Sequence, residues 1–129
     1  MGHTVWIEVQ GRPGADTHED LSILHALADY LDACAKTLGV TAPSAFFDYS
    51  SLLPAEDHAT PSWFDANRGR ESVAALVRAL REDFGNLRWS PDASEEHWPD
   101  YLLQELTFCE GILAEAARDG QPFRLMVVG

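Results

Sequence analysis

Two segments at opposite ends of the chain alternate between apolar and polar residues. They cover residues 4–10 and 121–128, and both are rich in β-branched and other bulky apolar side chains. A period of two in such residues is typical of a β-strand with one buried face. Both segments therefore predict strands, and their apolar faces consist of Val5, Ile7, Val9, Phe123, Leu125 and Val127.

The segment after the first strand has helical periodicity. A turn at residues 11–14 breaks the strand, and Thr17 is then a candidate N-cap with Asp20 three positions later, close to a capping box. Apolar residues recur every three or four positions from there to Leu38, and Gly39 is placed to end the helix. We expect one long amphipathic helix.

Two further helices are predicted in the second half of the chain. One begins at Asp65 or Asn67 and ends before Gly85. The other covers residues 99–118, since Pro99 is tolerated only in a first turn, and Gly120 follows its end. Residues 87–90 between them could form a short edge strand. The predicted fold class is α+β in the order β-α-α-α-β, in a single domain covering residues 1–129.

The two terminal strands are expected to pair in a small sheet, with the three helices packed on one face. Glu8 and Arg124 are then candidates for a cross-strand ion pair on the outer face. That face also carries Trp6, Met126 and Val128, which makes it more apolar than a solvated surface. Either the aromatic connection at residues 41–66 covers this face, or another subunit does, with these three residues as the interface of a homodimer.

The long connection at residues 41–66 is rich in prolines and aromatic residues. Connections of this length in a compact domain are often functional. We favour a satellite core that covers the sheet, but the same residues could form an exposed recognition surface. Three aspartates in the connection, Asp48, Asp57 and Asp65, are interpreted as turn caps. The aromatic residues are Phe46, Phe47, Tyr49, Trp63 and Phe64.

Glu105 is the one candidate for chemistry. It falls inside the apolar arc of the last helix, between Tyr101 and Cys109 at helical spacing. A carboxylate there needs a partner or a raised pKa. We favour a structural ion pair or hydrogen bond, with Arg81, Arg124 or Tyr49 as partner. The alternative is a pocket acid or base, lined by Tyr101, Tyr49 and the aromatic connection.

Metal and nucleophile signatures are weak. His25, Asp29 and Asp32 lie at helical spacing, but a solvated polar stripe explains them without a metal. Cys34 and Cys109 fall on apolar helix faces, where cysteine usually acts as a small buried hydrophobe. We predict no metal site and no cofactor.

The formal net charge is −12, and it is unevenly distributed. Residues 1–66 and 91–120 are strongly acidic, whereas residues 67–90 carry five arginines against three acids. Such a field repels nucleic acid and anionic lipid and favours cationic partners. We find no export signal, no membrane span and only two cysteines, which favours the cytoplasm. Eight arginines against one lysine, with abundant alanine, suggest a bacterial source.

These observations favour a small acidic protein-binding module over an enzyme. Its partner would be a cationic protein, and an inhibitor or immunity-type protein that neutralises a basic toxin or nuclease is the sharper form of the prediction. The alternative is a small enzyme or ligand-binding domain, with a pocket between Glu105 and the connection at residues 41–66.

Overall fold

The computed structural model describes residues 3–11, 20–52, 62–82 and 98–129. Three strands and four helices lie in these ranges, and two short 3-10 helices flank the second strand, at Pro43–Phe46 and Ser50–Leu52. The main elements are β1 (Thr4–Val9), α1 (Ser22–Ala26), α2 (Ala28–Leu38), β2 (Phe47–Asp48), α3 (Ala66–Glu82), α4 (Trp98–Arg118) and β3 (Phe123–Val128).

The sheet confirms the predicted α+β class and the pairing of the terminal strands. Its order is β1-β3-β2, so β3 is the central strand. Strand β1 is antiparallel to β3, and its register places Glu8 opposite Arg124. The two-residue strand β2 runs parallel to β3 on the other side, and a bridge between Phe64 and Phe123 extends that edge. Strand β2 is thus a third strand, added to the two terminal strands that the sequence predicted.

The predicted first helix is two helices. Helix α1 begins at Ser22, and Leu27 separates it from α2 with φ −104° and ψ 21°. Backbone hydrogen bonds continue across this residue, from Leu27 N–H to the Ile23 carbonyl and from Leu31 N–H to the Leu27 carbonyl, both at 2.9 Å. Helices α1 and α2 are therefore joined directly at Leu27, without an intervening loop.

The prediction that Asp20 takes part in a capping box at the start of the first helix is wrong. This residue precedes α1, and its carboxylate accepts a hydrogen bond from the Trp6 indole at 2.6 Å. Thr17 lies outside the described residues, as do Asp57, Gly85 and the predicted edge strand at residues 87–90.

The other helix ends agree with the sequence. Asp65 accepts a hydrogen bond from the Asn67 amide at 3.0 Å, which caps α3. Gly39 and Gly120 have φ values of 75° and 68°, in the left-handed region that glycine adopts without strain. The amides that follow them bond back to the carbonyls of Ala35 and Ala116.

The helices cover one face of the sheet and form an apolar core with it. Val5, Ile7 and Val9 are buried on this face, as the alternation predicts. Helix α3 approaches β3 closely at Gly69, where an added methyl group would overlap the Phe123 ring. None of the helices in the described ranges is long and apolar enough to cross a membrane.

Candidate functional site

Arg124 is the centre of a charged network on the face of the sheet opposite the helices. Its Nη2 atom donates to Oε1 of Glu8 on β1 at 3.0 Å, which confirms the predicted cross-strand pair. Its Nη1 atom lies 3.1 Å from Oδ2 of Asp48 on β2. One guanidinium on the central strand therefore links all three strands.

Asp48 also binds two backbone amides, those of Ser50 and Ser62. Its two carboxylate oxygens accept hydrogen bonds from the Ser50 amide at 2.7 Å and the Ser62 amide at 2.6 Å. Burial alone would raise the pKa of Asp48, but hydrogen bonds from Ser50, Ser62 and Arg124 outweigh it and hold that pKa below its usual range. The interpretation of Asp48 as a turn cap is confirmed at Ser50. The structure shows in addition that Asp48 forms an ion pair with Arg124.

Arg124 is enclosed rather than solvated. Its carbon Cζ lies 4.9 Å from the centre of the Trp63 ring, and its Nη2 atom approaches the Met126 sulfur at 3.2 Å. Only 8% of Arg124 is exposed, and Met126 is equally buried. The predicted cover of this outer face by the aromatic connection is observed at Arg124, where Trp63 lies over the guanidinium. Such an enclosed guanidinium holds the fold together and does not meet a ligand.

The structure separates the five aromatic residues of the connection. Phe46 is buried and contacts Phe123, with ring centres 5.1 Å apart, and Phe64 is half-buried beside them. Phe47 and Trp63 are also half-buried. Tyr49 differs from the rest because 54% of it is exposed. Phe46 thus belongs to the apolar core, and Phe47 and Phe64 pack against it. Trp63 instead lies over Arg124 on the opposite face, while Tyr49 is exposed.

The three residues of the predicted homodimer interface do not form one exposed patch. Met126 lies under the connection, Val128 is half-buried, and Trp6 is half-buried and bonded to Asp20. The homodimer itself stays a prediction.

Glu105 accepts hydrogen bonds from the first amides of α1. Its carboxylate oxygens lie 2.8 Å from the Leu24 amide nitrogen and 3.3 Å from that of Ile23. The first amides of a helix have no partner within the helix itself. Glu105 therefore caps α1 from a different helix, and sequence reasoning, which considered only side-chain partners, did not consider this one.

The other members of the predicted Glu105 pocket point to different places. Tyr101 is 48% exposed, so its assignment to the apolar arc of α4 was wrong. An open groove of about 710 Å³ lies instead where the C-terminal half of α3 meets α4. Glu105, Tyr101 and Tyr49 are not among its lining residues, which are Arg81, Asp100, Leu103, Gln104, Thr107 and Phe108.

The expected polar stripe on the first helix is only partly solvated. Asp29 is exposed, but Asp32 binds Ser44 and His25 is half-buried, stacked on Phe47. Within the described ranges, no three His, Cys, Asp or Glu side chains are grouped to hold a metal ion. Both cysteines are buried as predicted, and burial raises the pKa of Cys34.

Comparisons with known proteins add no family. No protein-family model matches the chain, and comparisons with curated proteins and with solved structures give no match. Functional argument therefore depends on the geometry and charge of the chain itself.

Proposed function

We propose that this protein is a small acidic binding module for a cationic protein and that it acts in the cytoplasm. The observation that carries the proposal is the segregation of charge over its surface. The net charge is −12, and four of the six exposed basic residues in the described ranges lie on one helix, α3. These four are Arg68, Arg70, Arg78 and Arg81, and the other two are Lys36 and Arg118.

Among the residues that the structure describes, the surface away from α3 therefore has few basic side chains to offset its acids. A negative surface attracts a cationic protein over distances up to about 10 Å at moderate salt, and such steering mainly raises the association rate. An inhibitor or immunity-type protein that must capture a basic toxin or nuclease quickly would use this property. The role of Glu105 as a cap on α1 gives no support to a catalytic pocket there.

The experiment is affinity capture from a native lysate at low and high salt, followed by rate measurements with the captured partner. We expect binding that weakens at high salt. Asp29→Lys should slow association, whereas Arg78→Glu, which changes the charge on α3 by the same magnitude in the opposite direction, should leave it equal or faster. If no partner shows salt-sensitive capture, or if both variants slow association equally, the proposal is wrong.

A further inference from the structure

Four rings form a continuous row along one edge of the molecule. The ring centres of His3 and His25 are 6.2 Å apart, and those of His25 and Phe47 are 6.1 Å apart in a stacked arrangement. Tyr49 continues the row, with its ring centre 6.4 Å from that of Phe47. We call His3, His25, Phe47 and Tyr49 the aromatic row.

The aromatic row is accessible at its ends. His3 and Tyr49 are exposed, while His25 and Phe47 are half-buried and pack against the body of the protein. The position of Tyr49 is fixed by its neighbours, because Asp48 is tied to Arg124 and the Ser50 amide is tied to Asp48. An exposed ring that is held in place binds a partner with little further loss of conformational entropy.

The aromatic row belongs to an acidic part of the chain. All four of its residues lie within residues 1–66, which carry ten acidic side chains against one arginine and one lysine. Four of the five exposed arginines in the described ranges lie on α3 instead. An aromatic face in a negative field attracts cations, and arginine suits it better than lysine because its flat guanidinium also stacks.

The interior of the protein shows the same chemistry with an arginine of its own. Arg124 lies over the Trp63 ring and is bound by the carboxylates of Asp48 and Glu8. The aromatic row offers a partner's arginine an exposed ring face of the same kind, on a protein whose net charge is −12.

We propose that the aromatic row is where the cationic partner inserts an arginine side chain over Tyr49. This proposal depends on the proposed function and assigns it a place on the surface and a preferred side chain. The specificity is for arginine over lysine, since a lysine ammonium would gain the charge attraction but not the stacking.

The experiment is titration of the protein with octa-arginine and with octa-lysine peptides at low salt. We expect tighter binding of octa-arginine, and a loss of about threefold in its affinity for Tyr49→Leu, the size of one exposed cation–π contact. Tyr101→Leu is the matched control, because Tyr101 is similarly exposed at 48% but lies on α4. This control should bind as the unmodified protein does.

The outcomes separate this proposal from the proposed function. Equal affinities for the two peptides, or equal effects of Tyr49→Leu and Tyr101→Leu, overturn the assignment to the aromatic row but leave acidic binding intact. Failure of the unmodified protein to bind either peptide at low salt counts against both. Circular dichroism of each variant checks that the fold is unchanged, as expected for exposed side chains.

Discussion

The two faces of the central strand β3 are both buried, but by different physical means. Toward the helices, Phe123, Leu125 and Val127 pack against apolar side chains. On the opposite face, Trp63 lies over Arg124, and the carboxylates of Glu8 and Asp48 bind its guanidinium. The first face is stabilised by the burial of apolar surface, and the second by the charged partners of Arg124.

The difference matters for what a mutation does. An apolar contact can be lost in part, and its loss is nearly independent of pH. A buried charge that loses its partner is left unpaired, which costs more than the pair contributed. The predictions below contrast these two faces, from the largest expected effect to the smallest.

Arg124→Met should lower the free energy of unfolding by about 4 kcal/mol at neutral pH, because it leaves Asp48 buried without a positive partner. The folded-state pKa of Asp48 is depressed, so its contribution is present above the ordinary value of 3.8 and is lost as the pH falls through the folded-state value. The loss should therefore shrink in acid. Urea unfolding at pH values above and below 3.8 measures this dependence.

Arg118→Met is the matched control for that change. Arg118 is exposed and lies 3.6 Å from Asp119, so its removal should change the free energy by less than about 1 kcal/mol. Equal effects of the two arginine variants would contradict the network.

Leu106→Ala should lower the free energy of unfolding by about 3 kcal/mol, since Leu106 is fully buried on the helical side. The same urea experiment should give a similar loss at neutral and acid pH. A loss that varied with pH as strongly as that of Arg124→Met would remove the contrast between the faces.

Gly69→Ala should destabilise the protein by about 2 kcal/mol, because the added methyl group would overlap the Phe123 ring. Gly111→Ala is its control on α4, where the methyl group meets open space, and it should stabilise by up to about 1 kcal/mol. Thermal unfolding of the two variants measures both. Similar melting temperatures for the two variants would show that α3 and β3 are packed less closely than the Gly69–Phe123 contact indicates.

Glu105→Ala should lower the free energy of unfolding by about 1.5 kcal/mol, because the first amides of α1 lose their acceptor. Glu105→Gln keeps one acceptor oxygen and should cost less. If the two variants are equally unstable, hydrogen bonding to α1 is not the role of this side chain.

The sequence predicted those parts of the fold that depend on local periodicity. The alternation in β1 and β3 predicted both strands and the Glu8–Arg124 pair, and Asp65, Gly39 and Gly120 marked helix ends. Apart from the Glu8–Arg124 pair, which follows from the pairing of the two terminal strands, each of these signals lies within a few residues of the structure it predicts.

The sequence did not predict features that depend on distant residues. Strand β2 has only two residues, too few to show a period, and it exists because β3 offers an open edge. The cap on α1 comes from Glu105, more than eighty residues away, so the nearby Asp20 was a misleading candidate. Alternation correctly predicted that Arg124 lies on the outer face, but it did not show that Arg124 also pairs with Asp48.

The most direct test of this account is an NMR titration of the Asp48 side-chain carboxyl carbon in the intact protein. The charged network predicts a midpoint below 3.8, because the Ser50, Ser62 and Arg124 hydrogen bonds stabilise the ionised form. A midpoint at or above 3.8 would mean that Asp48 is buried without these partners. It would contradict the claim that Arg124 and its charged partners stabilise the outer face of β3.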